Sequence, residues 1–379
     1  MRNLASIQKV SNLQSIEGKD FIEVATVQGW TLIVKKGEFK VGDQAIYCEI
    51  DSILPEKPEF EFLRKRCFQE KYHGFRIKTL KMSGVVSQGI LFPLSLLDSD
   101  WIKDKNKVKI QEGFDVTENL LIEKYEEDES NRVVQVKRGK IVSFLLKFKL
   151  FRKLFLPVQS RSGDFPSFLE KTDETRVQSI LETLKPYEGL DCYITVKYDG
   201  QSGSFAFYKN RFYICSRNKQ YNGKGDSNFE MIAKKYNIES SLKKLCKKYG
   251  DIAIQGEICG PNIQKNKYEL KELKFFIFSF FNIKEHRYST YEEFQEYFGF
   301  LYKLNKDFET VPFVSNAYKL HVDIEHLLDL AKGNSIKYPA IREGIVIRSK
   351  TGEPRNLPKI GSHFSFKVIN NEFLLKWDL

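Results

Sequence analysis

The sequence predicts an α+β protein of two domains, a small β-barrel or sandwich followed by a larger domain that mixes helices and strands. The chain has 379 residues, which is more than one hydrophobic core usually serves. Its first 125 residues are rich in short β-type runs, and from about residue 166 helical stretches alternate with strong strands. We therefore divide it into a first domain (1–125), a linker (126–165) and a second domain (166–379).

The strands of the first domain are predicted from β-branched and aromatic runs bounded by turn residues. Residues 21–27 and 30–36 meet across Gln28-Gly29, which is typical of a hairpin. Three further runs follow at 45–50, 75–80 and 85–92. Several short strands at this spacing favour a barrel or a sandwich.

The linker breaks this pattern by its charge. An acidic stretch at 126–129 precedes a basic and apolar segment at 137–156, which is amphipathic on a helical wheel. Such a helix can lie on a membrane surface, but one segment of this length binds lipid weakly. We expect it to pack against the protein instead.

The second domain is predicted from alternating helical and strand patterns. Helical stretches are expected at 167–185, 227–249, 290–307 and 323–332. Strands are expected at 192–197, 204–208, 212–215, 252–257, 275–281 and 344–348.

Composition narrows the class of partner and the compartment. The formal net charge of +11 favours a polyanionic partner, because Lys and Arg that neutralise phosphates release counterions. The six cysteines form no C-x-x-C pair or zinc pattern, as expected for reduced thiols inside a cell. With no signal-peptide pattern and no apolar run long enough for a membrane span, we expect an intracellular, cytoplasmic protein that binds no membrane.

The residues that indicate chemistry form an ordered series in the second domain. It begins with Lys197-Tyr198-Asp199-Gly200, where a lysine ends a strand and a tight turn follows. This K-x-D-G pattern is weak alone, because a lysine-rich chain produces it by chance. The later members each lie in a short segment. They are Arg217 in segment 215–218, Glu257 between two glycines in segment 255–260, Phe276 and Phe278 in the aromatic strand 274–280, Glu343 at the start of the strand in segment 342–348, and Lys367 in segment 364–368. Each has a plainer reading as a core or surface residue, so the interpretation depends on the ordered set.

These residue types suit the transfer of a nucleotide to a lysine. The attacking amine must be neutral, yet only about 4 in 10,000 lysines are neutral at pH 7 at their ordinary pKa. A nearby cation lowers that pKa, and Lys367 or a bound metal can supply it. The carboxylates of Asp199 and Glu343 suit Mg²⁺ or Mn²⁺, and Arg217 can grip phosphate oxygens in a fork.

The same series resembles the motifs of the covalent nucleotidyltransferase superfamily, which contains DNA ligases, RNA ligases and mRNA-capping enzymes. The resemblance implies that Lys197 accepts the nucleotide, Glu257 binds the nucleoside, and Phe276 or Phe278 stacks on the base. It also implies that Glu343 is linked to a metal. Arg217 matches the arginine of the family's next motif, and Lys367 matches a phosphate-binding lysine of its last motif.

The position of the β-rich domain favours one branch of this superfamily. DNA ligases and capping enzymes carry an OB barrel after the last motif, whereas here the sequence ends twelve residues beyond Lys367. An N-terminal OB-like barrel before a nucleotidyltransferase domain with antiparallel sheets resembles a family of nick-sealing RNA ligases. Residues 165–178 resemble the start of that family's catalytic domain.

The resemblance implies an ATP-dependent, three-step reaction with Mg²⁺ or Mn²⁺. ATP adenylylates Lys197, AMP passes to a 5′-phosphate end, and a 3′-OH displaces AMP, with a nicked RNA duplex as substrate. We expect a monomer whose barrel grips nucleic acid. Candidate contacts in the barrel are Trp30, Lys35, Lys36, Arg76, Lys78 and Lys81.

Three departures from the family pattern leave alternatives open. Val196 stands where many RNA ligases have Glu, and Ser202 stands where some carry a metal-linked Asn. The second lysine that is often found one residue away from the position of Lys367 is missing, which leaves open which phosphate Lys367 contacts. A DNA ligase, a capping guanylyltransferase and a non-catalytic RNA-binding protein with a ligase-like fold are the alternatives.

Overall fold

A computed structural model describes residues 3–125, 163–223 and 225–377, which form two units. Within these ranges, the first unit comprises residues 3–125 together with 371–377, and the second comprises 163–370. The structure thus groups the last helix with the first unit, whereas the sequence prediction assigns it to the second domain. The acidic stretch and the amphipathic segment predicted in the linker lie outside the described residues.

The first unit is a set of short, mostly antiparallel strands around two apolar clusters. Its strands are β1 Ala5–Lys9, β2 Asn12–Ser15, β3 Ile22–Val27, β4 Trp30–Lys35, β5 Gln44–Cys48, β6 Ser52–Pro55, β7 Phe68–Gln69, β8 Gly74–Arg76, β9 Thr79–Met82, β10 Val85–Gln88, β11 Ile90–Phe92 and β12 Glu123–Lys124. They pair in the orders β1-β5-β11, β2-β3-β4, β9-β10 and β12-β6-β8-β7. The helices of this unit are Arg64–Cys67 and Asn371–Trp377, with 3₁₀ turns at Pro58–Leu63, Glu70–Tyr72, Leu94–Asp98 and Lys105–Lys107.

The predicted hairpin is present, and two predicted strands are each divided. Strands β3 and β4 pair antiparallel with Val27 opposite Trp30, as the Gln28-Gly29 turn predicts. The run 75–80 splits into β8 and β9, which belong to different sheets. The run 85–92 splits into β10 and β11 for the same reason. A change of sheet is set by distant partners, which a local pattern does not contain.

Trp30 is a core residue rather than a surface contact. Its side chain is fully buried and lies 6.4 Å from the ring of Tyr47. The interpretation of Trp30 as a nucleic-acid contact was therefore wrong, because an indole with no exposed surface cannot stack on a base.

The second unit contains two sheets, and the motif residues lie on their strands or next to a strand end. Its strands are β13 Gly163–Asp164, β14 Thr175–Arg176, β15 Asp191–Lys197, β16 Gln201–Tyr208, β17 Arg211–Ser216, β18 Lys219–Tyr221, β19 Ile252–Cys259, β20 Lys274–Asn282, β21 Arg287–Tyr288, β22 Glu309–Thr310, β23 Phe313–Lys319, β24 Gly344–Ser349 and β25 Ser365–Ile369. Among the described residues, one sheet has eight strands, in the order β13-β18-β17-β16-β19-β20-β21 with β22 beside β20. The other has five, in the order β14-β25-β24-β15-β23. Their pairs are antiparallel except β14 with β25 and β20 with β22.

Three helices of the second unit, those that begin at Asn228, Tyr291 and Ile324, start from a capping side chain. The helices of this unit are Leu181–Leu184, Asn228–Lys235, Ile238–Tyr249, Tyr291–Leu304 and Ile324–Ala331, with 3₁₀ turns at Val177–Ser179, Lys185–Tyr187 and Gln264–Asn266. Ser227 and Thr290 each form a capping box with the glutamate three residues later, which satisfies free backbone N–H groups at the helix start. The predicted helix at 227–249 is divided at Asn237, whose backbone is left-handed. These elements confirm the predicted α+β class.

The helix predicted at 167–185 is mostly absent. Thr175–Arg176 forms β14 and pairs with β25, so this segment joins the five-stranded sheet. Only Val177–Ser179 and Leu181–Leu184 form helical turns there. Pairing with a strand almost two hundred residues away outweighs the local helical pattern.

In the part of the chain that the structure describes, no helix combines the length and apolar character needed to cross a membrane.

Candidate active site

The K-x-D-G segment is the point where the chain passes from one sheet of the second unit to the other. Strand β15, in the five-stranded sheet, ends at Lys197, and β16, in the eight-stranded sheet, begins at Gln201. A side chain at Gly200 would place its Cβ 2.4 Å from the carbonyl oxygen of Ile258. The crossing is therefore tight enough to require glycine, and it leaves Lys197 in a pocket lined by both sheets.

Lys197 lies against Glu343, although 146 residues separate them in sequence. The Lys197 Nζ donates to Glu343 Oε2 at 2.8 Å, and both side chains are mostly buried. The strand register produces this contact, because β15 pairs with β24 and sets Lys197 opposite Gly344. A Cβ at Gly344 would lie 2.2 Å from the carbonyl oxygen of Val368, so only glycine lets β24 approach β25 beside Glu343.

Two more carboxylates lie close enough to Lys197 for their charges to act on it. Glu257 on β19 accepts the backbone N–H of Gly200 at 2.9 Å. Asp199 forms an ion pair with the buried Lys267, and its backbone N–H donates to the hydroxyl of Tyr268 at 2.7 Å. The structure thus places Lys197, Asp199, Glu257 and Glu343 around one point, as the motif order predicts.

The charges of this group shift the pKa values in a consistent way. Burial acts to lower the pKa of Lys197, but the charges of Glu343 and Glu257 outweigh it and hold the pKa above its ordinary value. Burial raises the pKa of Glu257 to about 8. Burial and then the charge of Glu343 raise the pKa of Asp199 to about 6. Without ligands, Lys197 is therefore protonated and held by Glu343, so the lowered pKa that nucleophilic attack requires is not built into the free site.

The two candidate stacking residues lie in different places. Phe276 is fully buried and packs edge-on against Tyr198, in the apolar core beneath the site. Phe278, two residues later on β20, lines the pocket that contains Lys197 and Glu257. Val346 of β24 lines the same pocket from the other sheet. This geometry favours Phe278 as the residue that could face a base.

Lys367 and Arg217 both interact with the carboxylate of Asp173. Lys367, on β25, has its Nζ 3.9 Å from Asp173 Oδ1. Arg217, just after β17, donates to the other oxygen of Asp173 at 2.5 Å. Lys367 and Arg217, the two cations predicted to bind phosphate, therefore share the exposed carboxylate of Asp173. A phosphate that took the place of this carboxylate would lie within reach of both.

The metal prediction fits the donor chemistry of the site. Within the described residues, no group of three or more His, Cys, Asp or Glu side chains is arranged to enclose an ion. Asp199 and Glu343 offer carboxylate oxygens, each now paired with a lysine. Mg²⁺ commonly binds through one or two carboxylates together with substrate phosphates, so two carboxylates beside Lys197 are a suitable partial set.

Sequence reasoning missed two buried cations, one paired with Asp199 and one that lines the pocket. Lys267 is almost fully buried, but in sequence it is one lysine among many. Arg348 is also buried; its Nη2 donates to Glu174 Oε1 and its Nη1 to Thr195 Oγ1, each at 3.1 Å. One signal existed for Arg348, since strand alternation puts it on the same face of β24 as Val346.

A strand-ending lysine held by a carboxylate between two antiparallel sheets, with an aromatic residue and further carboxylates in the same pocket, defines a nucleotidyltransferase site. Comparison with known proteins narrows this class. Residues 4–94 match the family model of an OB-fold domain, and residues 190–369 match that of RNA ligase. No curated protein matches by sequence.

Solved structures of an RNA ligase from Naegleria gruberi are similar over nearly the whole length. An apo variant has 29% identity and a TM-score of 0.81, covering 98% of this chain and 97% of that chain. A variant with AMP and Mn has the same identity and score, covering 98% of both chains. A variant with ATP and Mn has 30% identity and a TM-score of 0.80, again covering 98% of both. The chain belongs to the RNA ligase family, and the predicted N-terminal OB fold is confirmed.

Proposed function

We propose that the enzyme seals RNA ends through a covalent AMP on Lys197, using ATP and a divalent metal ion. The observation that carries this proposal is that Lys197, which contacts Glu343, lines a pocket together with Glu257 and Phe278. The Naegleria ligase structures with ATP or AMP and manganese support the choice of nucleotide and metal.

The first step begins with the release of Lys197 from Glu343. While Glu343 binds the ammonium, the amine keeps its proton and cannot attack. Glu343 and Asp199 are the residues that would hold a divalent cation, and a cation there would offset the negative charge that keeps this proton on Lys197, so that the proton would pass to solvent. The chemistry that Mg²⁺ or Mn²⁺ would supply there is polarisation of the α-phosphate and an offset to the charge of the in-line transition state.

Lys197 then attacks the α-phosphorus of ATP. A bond forms between Nζ and phosphorus, and the bond to the bridging oxygen breaks, so that pyrophosphate leaves. Lys367 and Arg217 are placed to bind phosphate oxygens, which requires both to exchange Asp173 for the phosphate. Phe278 and Val346 line the space for the base.

The second and third steps transfer AMP to the RNA and then join the ends. A 5′-phosphate oxygen attacks the phosphorus on Lys197, the bond from phosphorus to Nζ breaks with the amine as leaving group, and an adenylylated 5′ end results. A 3′-OH attacks that 5′-phosphorus, forms the phosphodiester and expels AMP. We propose a nicked duplex as substrate and a monomeric enzyme, with residues 1–125 as the nucleic-acid-binding domain.

Labelled ATP tests the first step. Incubation with α-labelled ATP and Mn²⁺ should leave label on the denatured protein, and Lys197→Ala should abolish it. Lys319→Ala is a matched control, because Lys319 is an exposed lysine paired with the opposite end of β15 at Asp191. Equal labelling of the Lys197→Ala and Lys319→Ala proteins would refute the proposed nucleophile.

A nick-sealing assay tests the substrate. Duplexes with one 3′-OH/5′-phosphate nick, with RNA or DNA on each side in turn, should be joined when the 3′-OH strand ends in ribonucleotide. Joining of all-DNA nicks at the same rate would support the DNA ligase alternative. Label from GTP instead of ATP would support a capping guanylyltransferase.

A further inference from the structure

Beyond Lys197, the pocket continues to a second polar group, formed by Glu174, Arg348 and Thr195. All three line the pocket together with Phe278. Arg348 joins the other two, donating from Nη2 to Glu174 and from Nη1 to Thr195, each at 3.1 Å. Distant parts of the chain thus meet here, since Glu174 and Arg348 lie 174 residues apart in sequence.

The strand register separates Arg348 from the nucleophile along the pocket, with Thr195 between them. Lys197 lies opposite Gly344, whereas Arg348 is four residues further along β24, opposite Tyr193. Four residues of a strand span roughly 13 Å. Phe278 and Val346 line the space between, so a nucleotide with its α-phosphate at Lys197 extends its base toward Glu174 and Arg348.

The ionisation state of Glu174 determines which hydrogen bonds this carboxyl can form with a ligand. Burial alone would raise the pKa of Glu174, but the charge of Arg348 and other neighbours hold it below its ordinary value. An ionised carboxylate only accepts hydrogen bonds, and it has more acceptor sites than the one that Arg348 uses. In the part of the chain that the structure describes, the Nε of Arg348 is buried with no hydrogen-bond partner, so this end of the pocket has unused polar capacity.

We propose that Glu174, positioned by Arg348, selects adenine by accepting a hydrogen bond from its 6-amino group. Adenine carries a donor at position 6, where guanine and hypoxanthine carry an oxygen acceptor. That oxygen would face the carboxylate with no hydrogen between them, inside a mostly buried site. This inference deepens the proposed function and rests on it, because it assumes that the nucleotide of Lys197 lies in this pocket.

The test compares nucleotides that differ at position 6. Labelling of the wild-type protein should be fastest with ATP, slower with purine riboside triphosphate, which has only hydrogen there, and slowest with ITP. We expect ATP to exceed ITP by at least ~100-fold in apparent second-order rate, since sites built around a substrate N–H reject analogues that lack it. Equal labelling with ITP and ATP, or ITP faster than purine riboside triphosphate, would overturn the proposal without any variant.

A variant assigns the selectivity to Glu174. Glu174→Gln can donate as well as accept, so it should slow ATP labelling by about tenfold and reduce the ATP:ITP ratio to below ~10. Glu182→Gln, at an exposed position of the same segment, should keep the wild-type ratio. A folded Glu174→Gln protein with an unchanged ratio would refute the role of Glu174. Failure of the proposed function is distinct, since the wild type would then label with no nucleotide.

Discussion

Replacing Lys267 with methionine should destabilise the second unit strongly. The Lys267 side chain is only 3% exposed and pairs with Asp199, which is itself 17% exposed. Asp199 interacts with the charges of Glu343 and Glu257, so the loss of Lys267 leaves a mostly buried carboxylate among like charges. Removing one partner of a buried ion pair costs about 3–5 kcal/mol of unfolding free energy.

This loss is large enough to measure by calorimetry on the full chain. At ~2–4 °C per kcal/mol for a domain of this size, the melting temperature of the second unit should fall by about 6–20 °C. Lys271→Met, an exposed position in the same loop, should change the unfolding free energy by less than about 0.5 kcal/mol.

A double substitution isolates the pair from other effects of the change. Adding Asp199→Asn to Lys267→Met removes both charges and should recover at least about 1 kcal/mol of the loss. If Lys267→Met melts like Lys271→Met, or if Asp199→Asn adds to the damage, the buried pair does not stabilise the site and the reasoning is wrong.

Three further predictions concern the same unit. The folded protein binds the Glu257 proton more tightly than the unfolded chain does, because the pKa of Glu257 is raised on folding. The free energy of unfolding should therefore fall as pH rises from about 5 to 8, by at most ~1.4 kcal/mol per pH unit. Urea titrations across this range should show a flatter pH profile for Glu257→Gln than for the wild type. Phe276→Ala should lose about 3–5 kcal/mol of unfolding free energy, because Phe276 is fully buried. Phe278→Ala should melt near the wild type and bind ATP more weakly, because Phe278 lines the pocket. Equal melting temperatures of the two variants would contradict the placement of Phe276 in the core and Phe278 in the pocket. Arg217→Ala should change the free energy of unfolding by less than about 1 kcal/mol, since the ion pair of Arg217 with Asp173 is exposed. The same variant should be labelled by ATP more slowly than the wild type. Labelling at the wild-type rate would exclude Arg217 from phosphate binding.

Local patterns in the sequence predicted the parts of the fold that local interactions determine. The hairpin at 21–36 and the strands that end at Lys197 and begin at Gly344 follow from alternation and turn residues. The order of the motif residues predicted that Lys197, Glu257 and Glu343 meet in one pocket, although their separations in sequence are large.

What the sequence did not reveal depends on long-range packing. The position of Thr175–Arg176 in a sheet is determined by β25, and the division of the run 75–80 by its change of sheet. A buried lysine such as Lys267 has the same local signature as an exposed one. Alternation alone could not separate Phe276 from Phe278, because the burial of each depends on what the other sheet presents.

The state of the nucleophile is also a property of the folded site. The motif alone indicated an amine with a lowered pKa, but the contact with Glu343 raises the pKa of Lys197 in the free protein. We therefore infer that Lys197 becomes a nucleophile only after the negative charge of Glu343 is offset, and not in the free enzyme.

The most direct test of the account is peptide mapping by mass spectrometry after incubation with ATP and Mn²⁺, with no RNA present. We predict a single peptide heavier by one AMP, with the added mass on Lys197, and its loss on addition of pyrophosphate or of a nicked RNA. AMP on a different residue, or no adduct under conditions in which the protein seals nicks, would contradict the account.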